Sequence, residues 1–168
     1  MLKFIAGFVL CACAAAEGPS GIEKILVYQG TWKTETEHFT TRFSKAAKES
    51  LTLRNDCWRS AGFFVCDQFI NGESKALMVF TYNAKTDTYN SSSVPAGGGE
   101  GGSGKLLIKG NVWTFPWQDK QDGKTVYFRV VNTFTTPGTI EYRQEFSENQ
   151  QHWTVTAEGL EHKLEEPK

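Results

Sequence analysis

The chain has 168 residues, with 18 Lys plus Arg against 19 Asp plus Glu and a formal net charge of −1, a balance that excludes nucleic-acid binding resting on bulk positive charge. At 39% hydrophobic and 22% charged residues it is too apolar for a disordered chain and too evenly mixed for a repeat fibre, so one globular domain is expected. Its aromatic share is high at 13%, which asks for a core or a binding surface able to use flat rings.

Met1-Leu2-Lys3 gives a positive start and Phe4 to Ala12 an uncharged apolar stretch, the pattern of an export signal. The stretch is shorter than the roughly 20 apolar residues of a membrane-spanning helix. Ala14-Ala15-Ala16 supplies a small-x-small cleavage pattern, so residues 1–16 read as a signal peptide with a mature start near Glu17. Leu10-Cys11-Ala12-Cys13 opens a second reading, because it resembles a bacterial lipoprotein signal ending at Ala12 with the lipid on Cys13. Either way the protein is expected outside the cytoplasm: in the bacterial periplasm, anchored at the outer membrane, or extracellular. Loss of residues 1–16 takes one lysine and no acid, leaving a slightly acidic domain at −2.

Residues 17–29 form a linker and a short helix, for Ser20-Gly21-Ile22-Glu23 matches a capping box ahead of a helical turn from Gly21 to about Val27. From there the pattern is strands: Gly30 to Glu37, Glu49 to Trp58, Phe63 to Ile70, Lys75 to Tyr82, Thr88 to Val94, Lys105 to Lys109, Asn111 to Gln118, Lys124 to Thr135, Thr139 to Ser147 and His152 to Glu158. Turn residues such as Asn71-Gly72, Asp119 to Gly123 and Pro137-Gly138 separate them. About ten strands on short links predict an all-β fold, an antiparallel up-and-down barrel over residues 30–164 with a tail at 165–168. Val126, Phe128, Val130 and Phe134 make one apolar face, opposite a mixed face of Tyr127, Arg129, Val131 and Thr133. Pro116 lacks a donor and is expected at an edge, a bulge or a strand irregularity.

Two cysteines, Cys57 and Cys66, remain beyond the signal, nine positions apart. With Ala61-Gly62 at the tip of a tight hairpin, Cys57 faces Cys66 within disulfide reach. A pair of free buried thiols is the competing reading.

Tyr28-Gln29-Gly30-Thr31-Trp32-Lys33, on the first strand after a helical turn, resembles the Gly-x-Trp signature of the calycin superfamily, which includes lipocalins and fatty-acid-binding proteins. The resemblance implies that Trp32 plugs one barrel end beneath a basic side chain of the closing strand, with Gly30 as the matching glycine; Lys163 and Arg143 are both candidates for the partner. The stretch Asn55 to Cys66, with Phe80-Thr81-Tyr82-Asn83 and Thr88-Tyr89, is similar to a bacterial calycin-like family of secreted domains of unknown function, over about Ile25 to Leu164. That family implies a fold and no reaction.

Signals for chemistry are sparse. His38, His152 and His162 are far apart with no metal-binding spacing, so no metal is expected. No serine elbow and no acid/base pair can be placed, so no catalytic residue and no cofactor is expected, and the protein reads as a non-enzyme. Gly97 to Gly104 holds six of the 16 glycines and leads into a strand, which is a mobile hairpin loop rather than a phosphate-binding loop. Arg129 stands mid-strand and either meets an anionic head group in the interior or points outward with its stem over aromatics. Trp113, Trp117, Tyr127 and Trp153 are either barrel core or a flat apolar ligand wall. The expected function is an exported, non-catalytic barrel binding a small apolar or amphipathic molecule, without nucleic acid and touching a membrane only through a lipid on Cys13. The alternative is an envelope interaction or scaffold module with a filled barrel.

Overall fold

A computed structural model describes residues 21–165. The signal segment, Cys13, Ser20 of the capping box and residues 166–168 of the tail lie outside the described residues. The helical turn is a 3-10 helix, Gly21–Tyr28. Its three-residue repeat lines up Ile22, Ile25 and Tyr28 on one edge, and Ile25 is wholly buried by that edge.

Ten strands follow among the described residues: β1 Gly30–His38, β2 Ala47–Ser60, β3 Phe63–Ile70, β4 Glu73–Asn83, β5 Thr88–Pro95, β6 Gly102–Lys109, β7 Val112–Gln121, β8 Lys124–Thr136, β9 Thr139–Ser147 and β10 Thr154–Lys163. Each pairs antiparallel with its sequence neighbours, and β1 closes on β10, so the sheet is a complete up-and-down barrel with no free edge. Tight turns fix the register. Asn71-Gly72 and Asp122-Gly123 both have positive φ at each residue, the geometry that matches the twist of two-residue hairpins.

Some strand ends differ from the sequence expectation. β6 starts at Gly102 rather than Lys105, since Gly102 and Gly104 pair through their backbones with Ser93 and Ser91 and need no side chain to do so. β10 starts at Thr154 and runs to Lys163, past the expected end at Glu158. His152 instead belongs to the preceding turn, where Asn149 Oδ1 accepts from the backbone N–H of Gln151 and His152 at 2.9 and 3.0 Å. Pro116 lies where the β6–β7 ladder has already ended, the last paired residues being Leu107 and Thr114; a proline has no N–H to extend it.

The β2–β3 hairpin pairs Ser60 with Phe63 and Cys57 with Cys66, and the two cysteines form a disulfide. The 3-10 helix packs against β2, β3 and β4 and closes one barrel end with Ile25, Phe64, Cys66, Phe80, Tyr89, Leu106 and Trp113 buried beneath it. Tyr89 donates from its hydroxyl to the Gly21 carbonyl at 2.9 Å, which ties the helix start to β5. Trp32 is fully buried at this end and donates from Nε1 to the Tyr28 carbonyl at 3.0 Å. Lys163 is its direct partner on β10, with Nζ 5.5 Å from the ring centroid. Lys163, not Arg143, is therefore the basic residue over the tryptophan. Gly30, at φ +109°, leaves the room that Lys163 needs, since a Cβ there would stand 2.9 Å from Lys163 Cε.

Candidate functional site

Side chains alternate across each strand, and directly paired residues share a face. Starting from the buried Trp32, the register carries the inner face through Thr34 and Thr36 on β1 to Leu51 and Leu53 on β2, and to Glu161 and Gly159 on β10. It continues to Tyr142 and Gln144 on β9, then Val130 and Asn132 on β8, then Phe115 and Trp117 on β7. Between these faces lies a cavity of about 780 Å³, within the size range of small-molecule sites.

The lining has three parts. Leu51, Leu53, Ile70, Met78, Phe115 and Trp117 supply apolar surface. Ser91, Ser93, Gly102 and Gly104 make a wall of minimal side chains. Thr34, Thr36, Asn132, Tyr142, Gln144 and Glu161 form a polar wall. No Lys, Arg or His lines the cavity, while two carboxylates, Glu49 and Glu161, do.

The polar wall is partly self-satisfied. Tyr142 donates to Thr36 Oγ1 at 2.9 Å, and Asn132 Nδ2 donates to the Tyr28 hydroxyl at 2.9 Å. Burial raises the pKa of both tyrosines, so both hydroxyls stay protonated and neutral. Thr34 Oγ1 and Asn132 Oδ1 are buried without a partner, although buried polar atoms are nearly always hydrogen-bonded. Glu49 has His38 Nε2 at 3.6 Å. Glu161 has no such counter-charge among the described residues, and desolvation alone pushes its carboxyl up to about 7.

The sequence-predicted residues are distributed over three places. Trp117 lines the cavity and stacks on Phe128 with centroids 5.4 Å apart. Trp113 points inward but is packed into the closed end, edge-on to Tyr28 at 5.4 Å, and does not line the cavity. Tyr127, Arg129 and Trp153 are outside the barrel. The reason is the alternation on β8: Phe128, Val130 and Asn132 take the inner face, so Tyr127 and Arg129 must face out. Arg129 Nε lies 2.5 Å from Glu145 Oε2, and its guanidinium sits 3.8 Å from the Trp153 ring centroid. Thus the outward reading of Arg129, with its charge over an aromatic, replaces the interior one. Sequence reasoning missed the polar wall. Thr34 and Thr36 were within its reach, two and four positions beyond Trp32 on the same face, whereas Glu161 lies past the expected end of its strand.

Neither a known protein family nor a curated protein sequence matches the chain.

Proposed function

We propose that the protein is an exported, non-catalytic, calycin-like carrier that holds a small amphipathic molecule inside its barrel. The cavity carries this reading: about 780 Å³ bounded by an apolar wall, a wall of small residues and a polar wall. Burying about 200 Å² of apolar ligand surface there contributes roughly 5 kcal/mol at 25 cal/mol per Å², and the polar wall offers partners to a head group. Gly30 and Trp32 beneath Lys163, with the 3-10 helix closing the same end, support the calycin-like assignment. The Cys57–Cys66 disulfide suits an oxidising compartment and agrees with the export signal read from the first sixteen residues. A hollow interior favours this reading over a filled barrel used as a frame.

Titration with Nile red, a neutral apolar dye, tests it. Saturable one-to-one binding with a blue-shifted emission is expected, and Ser91→Trp, which fills the small-residue wall, should abolish it. Absence of binding, or binding unaffected by the substitution, would contradict the reading.

A further inference from the structure

The head-group end of the cavity has a definite polarity. Glu161 and Thr34 are direct cross-strand partners on the inner face. Asn132 lines the same cavity: its partner on β9 is Tyr142, which pairs in turn with Gly159, two positions before Glu161, and its Nδ2 donates to the Tyr28 hydroxyl. The atoms left without partners are Thr34 Oγ1 and Asn132 Oδ1, in residues only 5% and 8% exposed. A carboxylate, a hydroxyl oxygen and an amide oxygen all accept hydrogen bonds, and no lining residue carries a positive charge.

We propose that the carrier's ligand is a cationic amphiphile, an amine whose ammonium group rests against Glu161 with Thr34 and Asn132 as neutral acceptors. This rests on the carrier reading above and adds the charge of the head group. An ammonium brings three donors and the missing counter-charge, and its hydrogen bonds to a carboxylate are of the stronger, charge-assisted kind. A fatty acid would place a second carboxylate beside Glu161, where like charges oppose each other's ionisation. The apolar body lies along Leu51, Leu53, Met78 and Phe115, on β2, β4 and β7, of which β2 and β7 flank the polar wall, with Leu51 paired directly to Thr34. Glu161 pairs directly with Thr34 of β1 and Ile140 of β9, and Tyr28 of the helix, Tyr142 of β9 and Glu49 of β2 line the same cavity. All of these are neutral or acidic, so no residue in that set competes with an ammonium.

Three probes with one tail decide the matter: dodecylamine, dodecanol and dodecanoic acid, each titrated against the full-length purified protein by displacement of Nile red at pH 7.5. Dodecylamine is expected to bind at least tenfold more tightly than either of the others. Glu161→Gln should lower dodecylamine affinity at least tenfold and leave dodecanol within twofold, and Thr34→Val, which keeps the side-chain volume, should weaken dodecylamine alone by several-fold. Equal binding of all three, a preference for the acid, or an unchanged amine affinity in Glu161→Gln would overturn the cationic assignment while leaving the carrier reading standing. Failure of all three probes to displace a bound dye would likewise overturn the cationic assignment alone, and absence of Nile red binding itself would overturn both.

Discussion

Tyr142 reaches Thr36 across a strand that offers no side chain in between: its hydroxyl donates to Thr36 Oγ1 at 2.9 Å, passing over Gly159, the residue paired with both. A Cβ at position 159 would stand 2.8 Å from Tyr142 Cε1 and collide with the backbone carbonyl of Glu35. A carbonyl in a paired strand has nowhere to move. Gly159→Ala is therefore expected to destabilise the protein by about 3 kcal/mol, at the upper end of overpacking costs, measured by urea denaturation. A variant as stable as the parent would show that β10 does not approach β1 so closely.

Arg129 outside the barrel has a stability role that can be separated from binding. Glu145 is only 5% exposed in its side chain and depends on Arg129 at 2.5 Å, with Arg143 Nε more distant at 3.9 Å. Removal of one partner leaves a buried carboxylate without adequate compensation, which costs about 3 kcal/mol. Arg129→Ala should lower stability by that order in a denaturant titration while ligand affinity stays within twofold. Tenfold weaker binding in a folded variant would return Arg129 to the site.

These two regions mark what the sequence disclosed and what it did not. The strand count, the hairpin at Ala61-Gly62 and the facing of Cys57 on Cys66 were legible because turn residues and a period of two are local signals. The apolar face of β8 was legible as a set, from Val126, Phe128, Val130 and Phe134, but which face points inward was not, so the direction of Arg129 stayed open until the register placed Phe128, Val130 and Asn132 inside. The polar wall was not legible as a unit. Thr34, Asn132, Tyr142 and Glu161 sit on four strands, and only the closure of β1 on β10 brings them together. The long Gly-rich run was misleading for a related reason: Gly102 and Gly104 look like loop in sequence, yet they complete a ladder that uses backbone alone.

The Cys57–Cys66 link ties β2 to β3 beneath the helix, and Cys66 is 2% exposed within the buried cluster. Constraint of the unfolded chain by so short a loop is worth about 2 to 3 kcal/mol. The Cys57→Ala, Cys66→Ala double variant should lose about that much stability, read from the shift of its unfolding midpoint. The parent should match it after full reduction. No change in either measurement would mean that the bond contributes nothing to the fold.

Glu161 predicts a pH dependence of stability with a defined sign. Its carboxyl is raised from 4.5 to about 7 by desolvation, so between those values the unfolded chain releases a proton that the folded one keeps. Stability from this residue therefore falls as pH rises through that window and is flat beyond it. The loss is up to about 3 kcal/mol if the whole shift is expressed. Urea denaturation at pH 5 and pH 8 should show the parent losing more stability than Glu161→Gln over that interval, with the variant the more stable at pH 8. Identical slopes would contradict an uncompensated carboxyl in the cavity.

The central claim is that the barrel interior holds a small molecule. Its most direct test is native mass spectrometry of the protein recovered gently from its own host, beside the Ser91→Trp variant treated identically. The parent is expected to carry a one-to-one adduct that disappears on denaturation and is missing from Ser91→Trp. A parent with no adduct, or an adduct retained equally by the filled variant, would contradict it.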